Sequence, residues 1–251
     1  IMRLGADPEI FLCNKDKLIS VVGLVDGNKS HPLQVAYLPQ GFTLQQDNVA
    51  LEFGIPPAGT RADFVQYIRT VMEAGKAHCK GLSYSNESCA VFDEDQMQTA
   101  EAHVFGCEPD FNAWTNRINP SPKPPHPFMR SAGGHVHVET TLPPTSVVRN
   151  LDLFLGVASV LMDKSGGPRR KLYGMPGAYR KKSYGVEYRT LSNFWIFDDK
   201  LIEWVWNETN RALFALRDGY RCNDPLVRKC IATGDEGLAQ RLVNDYGLKV
   251  L

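Results

Sequence analysis

The chain has 251 residues, in which 28 basic side chains balance 28 acidic ones. This neutrality excludes a general electrostatic affinity for nucleic acid or for an anionic membrane, because both need a surplus of Lys and Arg. Apolar residues make up 43% and charged residues 22% of the chain, a composition typical of a globular protein and not of a disordered one.

The first 60 residues predict strands joined by turns. Residues 3–12 and 18–24 are expected to pair as a hairpin, and residues 47–54 form another strand-like run that stops at two prolines. From Arg61 to Cys79 the apolar side chains recur at three- and four-residue spacing, which predicts an amphipathic helix.

The second half of the chain begins irregularly. Residues 119–127 contain five prolines, which exclude both a helix and a central strand and predict an extended loop, either a lid or a connector. The remaining predictions are strands at 133–140 and 185–191, no regular pattern over 164–184, a buried helix at 147–162, and two or three closing helices, the first over about 200–217. This order, without a clear linker, predicts one α+β domain over residues 1–251 with a mainly antiparallel sheet.

Three predicted strands carry polar pairs at positions i and i+2, so both members of a pair point to the same face of a sheet. The pairs are Asp7/Glu9, His135/His137 and Glu187/Arg189, and Asn48 and Glu52 share parity on a fourth strand, where Asp47 points the other way unless a bulge intervenes. These faces are either exposed to solvent or parts of one site. Converging carboxylates repel one another unless a cation lies among them, and such oxygen ligands suit Mg²⁺ or Mn²⁺.

A second feature is a local surplus of basic residues. The stretch from 169 to 182 has no acidic residue and contains Arg169, Arg170, Lys171, Arg180, Lys181 and Lys182. It is either a solvated loop or a clamp for a polyphosphate, since Arg makes bidentate contacts to phosphate oxygens. No GxxxxGK[ST] loop occurs, and no GxGxxG follows a strand, which disfavours P-loop and Rossmann nucleotide binding.

These motifs resemble a known group of enzymes. The sequence is similar to the carboxylate–amine ligases of the glutamine synthetase and glutamate–cysteine ligase superfamily, most closely the phage-associated amidoligase branch. The motifs that carry the resemblance are GADPEIF (5–11), DNVALEFGIPP (47–57), FGCEPDFNAW (105–114), GGHVHVE (133–139), YGMPGAYR (173–180) and YGVEYRTLSNFW (184–195).

The resemblance implies a glutamine-synthetase-like curved antiparallel sheet, with helices on its convex face and ATP and divalent ions (Mg²⁺ or Mn²⁺) on its concave face. It implies metal ligation by Asp7, Glu9, Glu52 and Glu187, and catalytic roles for Glu187, Arg189 and Arg180. It implies nucleotide contacts from one of His135 and His137, and from Arg169, Arg170, Lys171, Arg180 and Arg189. The substrate contacts we expect are Asn48, Cys107, Asp110, Asn112 and Trp114, although a buried structural thiol is another interpretation of Cys107.

The implied reaction is ATP-dependent formation of an amide bond through an acyl phosphate. Its partners are a small-molecule or peptide carboxylate and an amine donor, and the sequence does not identify either. A metal-dependent hydrolase that uses the His-x-His pair, or a non-catalytic interaction protein, are the alternatives. The six scattered cysteines, the lack of a continuous apolar stretch of roughly 18 residues and a start unlike a signal peptide predict a cytoplasmic protein, in the host cytoplasm if it is phage-encoded.

Overall fold

The computed structural model describes residues 2–104 and 110–251. The predicted α+β class is confirmed, with antiparallel strands and packed helices. In chain order the strands are β1 Leu4–Ala6, β2 Glu9–Asn14, β3 Lys17–Ile19, β4 Leu33–Gln34, β5 Thr43–Asp47, β6 Ala50–Gly54, β7 Ser83–Ser85, β8 Cys89–Val91, β9 Phe111–Asn112, β10 Arg117–Ile118, β11 Met129–Ser131, β12 Val136–Glu139, β13 Ala178–Lys182 and β14 Gly185–Tyr188.

The helices predicted at 61–79, 147–162 and 200–217 are present, and short helices also lie at 100–103 and 167–170, where none was predicted. They are α1 Arg61–His78, α2 Ala100–His103, α3 Pro144–Leu151, α4 Val157–Met162, α5 Gly167–Arg170, α6 Asp199–Arg217, α7 Pro225–Thr233 and α8 Glu236–Tyr246, with a π-helical turn at Asp152–Gly156 and 3₁₀ turns at Glu94–Gln96 and Asn193–Phe197. Thr60 caps α1 by accepting from the Asp63 amide, and Asp198 caps α6 in the same way. Residues 119–127 form neither helix nor strand, as the prolines predicted.

The strands form two large sheets, which are connected through residues 7–8 between β1 and β2, and a small sheet in which β8 pairs with β11. Among the described residues the first sheet has the order β1-β12-β14-β13-β9-β10, and the second has the order β3-β2-β6-β5-β4 with β7 also on β2. The strands expected at 3–12, 47–54, 133–140 and 185–191 are therefore divided between two antiparallel sheets and do not lie in the single sheet that the sequence predicted. The run 3–12 breaks at Pro8, which has no amide proton to donate to a ladder, and β1 and β2 enter different sheets.

The sheets stay joined at this break. The Glu9 amide donates to the Gly133 carbonyl at 2.8 Å, and the Phe53 amide donates to the Pro8 carbonyl at 2.9 Å. The two sheets consequently curl around one cleft, with Asp7 and Glu9 at their junction.

The run 47–54 is a hairpin and not one strand. Asp47 ends β5 and pairs with Ala50 of β6, across a two-residue turn in which Asn48 adopts φ 58°. Asn tolerates this left-handed conformation better than most residues do. Because of the turn, Asp47 shares its face with Gln45, which pairs with Glu52, so the expectation that Asp47 points away is corrected.

A strand also lies where no regular pattern was expected. Residues 178–182 form β13, which pairs with β14 so that Arg180 lies opposite Glu187. The sequence left a solvated loop and a phosphate clamp open for this segment, because the carboxylates that the basic side chains of β13 face come from other elements.

The helices cover the apolar faces of the sheets. Gly75 of α1 lies so close to β6 that an added Cβ would be 2.7 Å from the Phe53 ring and 3.3 Å from Leu51. Under the first sheet, Tyr188 of β14 donates a hydrogen bond to Asp152 in the turn between α3 and α4. The polar residues of the sheets are therefore left on the opposite, open side.

One described helix, Pro144–Met162, is long and apolar enough to cross a membrane by length and composition alone. It contains Arg149 and Asp152, and 67% of its most apolar window is buried inside the protein. Burial of this kind is what the core helix of a globular protein shows, so the helix is weak evidence for a membrane span.

Candidate functional site

Strand register places the predicted polar pairs side by side in the cleft. His137 of β12 pairs with Glu187 of β14, which pairs with Arg180 of β13. Because alternate residues share a face, His135 and Arg189 lie on the same side as this row. The i, i+2 pattern of the sequence thus corresponds to one polar surface.

The first acidic group consists of Asp7, His137 and Glu187, each of which offers a ligand atom within 4.8 Å of the others. His137 Nε2 lies 2.9 Å from Asp7 Oδ1, and the Tyr184 hydroxyl lies 2.7 Å from His137 Nδ1. Burial favours neutral forms here, but the Asp7 carboxylate raises the pKa of His137, and the two imidazoles hold the pKa of Asp7 well below its usual range.

Glu187 is surrounded by cations. Lys182 Nζ lies 2.8 Å from Glu187 Oε2, Arg180 Nη1 lies 3.6 Å from Oε1, and Arg189 Nη1 donates a short hydrogen bond to Oε1. Burial and Asp7 would raise the pKa of Glu187, but His135, Arg189 and His137 together lower it to about 2. This carboxylate is ionised at any physiological pH.

Arg189 is held in place from two sides. Its Nε lies 2.8 Å from Asp110 Oδ1, and its Nη1 lies beside Glu187 and 3.2 Å from His135 Nδ1. Burial acts to lower the pKa of Arg189, and Asp110 and Glu187 raise it. The guanidinium is therefore a fixed, permanent positive charge on the floor of the cleft.

The second acidic group consists of Glu9, Asp47 and Glu52, again within 4.8 Å of one another. Glu9 accepts from the Gly133 amide at 2.7 Å. Burial, reinforced by Asp47, raises the pKa of Glu9 to about 7, and burial with Asp7 and Asp47 raises the pKa of Glu52 well above its ordinary value. These acids repel one another, and Lys29 Nζ lies 2.9 Å from Asp47 Oδ1.

The two groups border one cavity of about 390 Å³. Its lining includes Asp7, Glu9, Glu52, His135, Arg180 and Arg189, together with both Lys29 and Lys182. Of the two histidines, His135 lines the cavity and has its pKa lowered to about 4 by burial and Arg189, whereas His137 belongs to the first acidic group. The cavity is therefore lined both by carboxylates, which can bind metal cations, and by basic side chains, which can bind phosphate groups.

The residues fit divalent cations. Asp7 Oδ1 and His137 Nε2 are buried and close, but their geometry is not that of a hydrogen bond, and neither atom has a hydrogen-bond partner among the described residues. Buried polar atoms without partners are costly, and a bound ion would satisfy both. Three carboxylates suit Mg²⁺ or Mn²⁺, and a set of two carboxylates and one imidazole also suits transition metals such as Zn²⁺ and Fe²⁺.

The basic cluster 169–171 does not enter the cavity as a unit. Arg169 is buried, donates to the carbonyls of Thr190 and Arg189, and lies 3.5 Å from His135 Nε2, so it supports the floor of the cleft. Arg170 and Lys171 instead line a separate cavity of about 730 Å³. Their nucleotide-binding role stays a prediction that this placement does not favour.

The predicted substrate residues also divide. Asp110 lies in the cleft beside Arg189, and Asn48 lies at its edge, where its side chain accepts from Arg130 at 3.0 Å. Asn112 donates hydrogen bonds to the Asn119 side chain and to the Pro176 carbonyl, and Trp114 donates one to Asp152 at 2.6 Å. Both residues therefore stabilise the local structure. Cys107 lies outside the described residues.

Three contributors were not among the predicted site residues. Asp47 was assigned to the wrong face, Lys29 lay in no recognised element, and Lys182 was noted only as part of a basic stretch. The i, i+2 spacing of Arg180 and Lys182 is the signal that could have identified β13 as a further strand of the cleft.

A family model described as "Phage phiEco32-like COOH.NH2 ligase-type 2" matches residues 124–209. The matched segment contains His135, His137, Arg180, Glu187 and Arg189, and it excludes the acids of the first 60 residues. The match confirms the resemblance to an amidoligase-type family and supports a ligase activity. No curated protein matches the chain.

Proposed function

We propose that this amidoligase-type protein is an ATP-dependent carboxylate–amine ligase that activates its carboxylate as an acyl phosphate. The observation that carries the proposal is the cavity in which two acidic groups adjoin Arg180, Lys182 and Arg189. We further propose that the whole chain is one catalytic domain and acts in the cytoplasm.

Formation of an acyl phosphate requires the kinds of charged group that line the cavity. A carboxylate does not react with an amine at neutral pH, and phosphorylation gives it a leaving group that the amine can displace. Phosphoryl transfer needs positioning and charge neutralisation more than a protein nucleophile. Asp7, His137 and Glu187 would hold one divalent ion, and Glu9, Asp47 and Glu52 another. Such ions supply charge neutralisation at the phosphates.

Arg189 is suited to the transferred phosphoryl group. Its anchors, Asp110 and Glu187, fix the planar guanidinium before substrate arrives, and preorganised charge is the main source of electrostatic catalysis. A hydrolase that uses the same acids and His137 would have little need for the basic side chains that surround Glu187, which favours the ligase.

The test is ADP release with panels of amino acids, short peptides and ammonia as carboxylates and amines. We expect release that needs both partners and Mg²⁺ or Mn²⁺, and transfer of ¹⁸O from a labelled carboxylate to phosphate. Glu187→Gln should abolish the signal, whereas Glu139→Gln, at an exposed position of β12, should not. Cleavage of an amide or ester without ATP would favour the hydrolase, and absence of any nucleotide turnover would favour the interaction protein.

A further inference from the structure

Each acidic group has a lysine against one of its carboxylates. Lys182 Nζ lies 2.8 Å from Glu187 Oε2 in the first group, and Lys29 Nζ lies 2.9 Å from Asp47 Oδ1 in the second. The two lysines reach the groups from different elements, since Lys182 lies on β13 and Lys29 precedes β4. The arrangement therefore occurs twice, independently.

The lysines differ from the arginines of the cleft in how firmly they are held. The side chains of Lys182 and Lys29 are 35% and 37% exposed, whereas that of Arg189 is 10% exposed and fixed by Asp110. An ammonium on a four-carbon stem can move several ångströms by rotation about its side-chain bonds, whereas a paired guanidinium is fixed. Lys182 and Lys29 can thus move away from their carboxylates more readily than Arg189 can.

A divalent ion would compete with these ammonium groups. The ligand atoms of each group lie within 4.8 Å of one another, so an ion among them would lie within a few ångströms of the lysine nitrogen. Like charges at that distance repel, and both would share the same carboxylate oxygens. Binding of an ion therefore requires the lysine to turn away.

The place for a displaced ammonium is the shared cavity, which both lysines line. Its other cations, Arg180 and Arg189, are already paired with Asp110 and Glu187. Phosphate oxygens that arrive with the metal would give a lysine a new anionic partner, and Lys is a common ligand of phosphate.

We infer that Lys182 and Lys29 are internal counter-ions, which neutralise the two acidic groups in the metal-free protein and move to nucleotide phosphate oxygens when divalent ions bind. The inference rests on the proposed function and deepens it. It assigns to two residues a role in both metal exchange and nucleotide binding.

The test measures binding and not activity. Mn²⁺ affinity is determined from the electron paramagnetic resonance signal of free Mn²⁺, for the full chain and for Lys182→Met and Lys29→Met. Removing a positive charge a few ångströms from the ion should tighten Mn²⁺ binding on the order of tenfold. ATP affinity at saturating Mn²⁺, measured by calorimetry, should fall about tenfold as a phosphate contact is lost.

Lys181→Met is the matched control, because Lys181 is the neighbour on β13, points to the other face and is exposed. It should change neither affinity. Lys182→Gln keeps a polar side chain at the position and should shift both affinities in the same directions as Lys182→Met, and thermal unfolding establishes that each variant is folded.

The opposite signs of the two shifts identify the role, since a merely structural lysine would not tighten metal binding when removed. Equal or weaker Mn²⁺ binding in both lysine variants would overturn the inference, even if the wild type turns over ATP with a carboxylate and an amine. Tighter Mn²⁺ binding with unchanged ATP affinity would contradict the part of the inference in which the lysines contact nucleotide phosphate oxygens. A wild type that binds no Mn²⁺ would overturn the inference together with the metal sites of the proposed function.

Discussion

His135 and His137 both approach Oδ1 of Asp7, at 3.3 Å and 2.9 Å, yet the pKa values of the two imidazoles move in opposite directions. Burial and the adjacent Arg189 lower the pKa of His135 to about 4, whereas Asp7 raises that of His137 against the effect of burial. The pKa values of two imidazoles at i and i+2 on one face thus shift in opposite directions, because Arg189 adds to the effect of burial at His135 and Asp7 outweighs burial at His137.

The role of Arg189 is tested by Arg189→Lys. The variant keeps the positive charge but loses the planar fork that contacts both Asp110 and Glu187. We expect Mg-ATP affinity to stay within a few-fold, while turnover falls on the order of a hundredfold. Arg3→Lys, at an exposed pair with Glu139, is the control. Full activity of Arg189→Lys would move the phosphoryl contact to Arg180.

Glu52→Gln should stabilise the metal-free protein but weaken its activation by Mg²⁺. In chelator the variant removes a partly buried acid that repels Asp7, Asp47 and Glu9, so we expect its free energy of unfolding to exceed that of the wild type by about 1–2 kcal/mol near pH 8. With Mg²⁺ the same change removes a ligand, and the concentration for half activity should rise at least about tenfold.

Both quantities are measurable on one preparation, by denaturant unfolding in chelator and by a Mg²⁺ titration of ADP release. Glu139→Gln is the control, since its carboxylate is about half exposed and lies away from the cavity. If Glu52→Gln were less stable than the wild type in chelator, repulsion among the carboxylates of the second acidic group would not destabilise the metal-free protein.

Asp152 should make stability depend on pH outside the candidate site. Burial raises its pKa from 3.8 to about 6, although Trp114 and Tyr188 donate hydrogen bonds to it. The folded protein therefore binds this proton more tightly than the unfolded chain does. The stability contributed by Asp152 is fully present below about pH 4 and is lost as the pH rises through about 6.

Asp152→Asn removes this dependence. The difference in unfolding free energy between wild type and variant should fall by up to about 3 kcal/mol from pH 4 to pH 7, whatever its constant offset. Denaturant unfolding across this range measures it. Trp114→Phe removes a donor to the carboxylate and should extend the window to higher pH, and a difference that stays flat with pH would contradict the assignment.

Gly75 tests the packing of α1 on the second sheet. An added methyl group would clash with the Tyr84 hydroxyl and lie 2.7 Å from the Phe53 ring. Gly75→Ala should therefore destabilise the protein by about 1–3 kcal/mol, despite the roughly 1 kcal/mol that alanine gains in a helix. Gly237→Ala in α8, where the nearest atom is 3.4 Å away, should be neutral or stabilising. Thermal or denaturant unfolding compares the two, and equal effects would mean that the interface relaxes.

The sequence alone determined the properties that depend on local spacing. The spacing of apolar side chains identified α1, and the prolines of 119–127 excluded regular structure there. The i, i+2 pairs identified which side chains share a face, because alternation along a strand is a local property of the backbone. For this reason His135, His137, Glu187 and Arg189 were recognisable before the strands were assembled.

Only the tertiary structure decided which strands are neighbours and which basic residues meet carboxylates. Lys181 and Lys182 are adjacent in sequence, yet one is exposed and the other lies against Glu187, because β13 pairs with β14 in a particular register. Asp47 entered the second acidic group through a turn at Asn48 that a strand pattern does not reveal. The sequence does not distinguish a basic side chain that is solvated from one that is paired with a distant acid. Long-range strand pairing determines which of the two occurs.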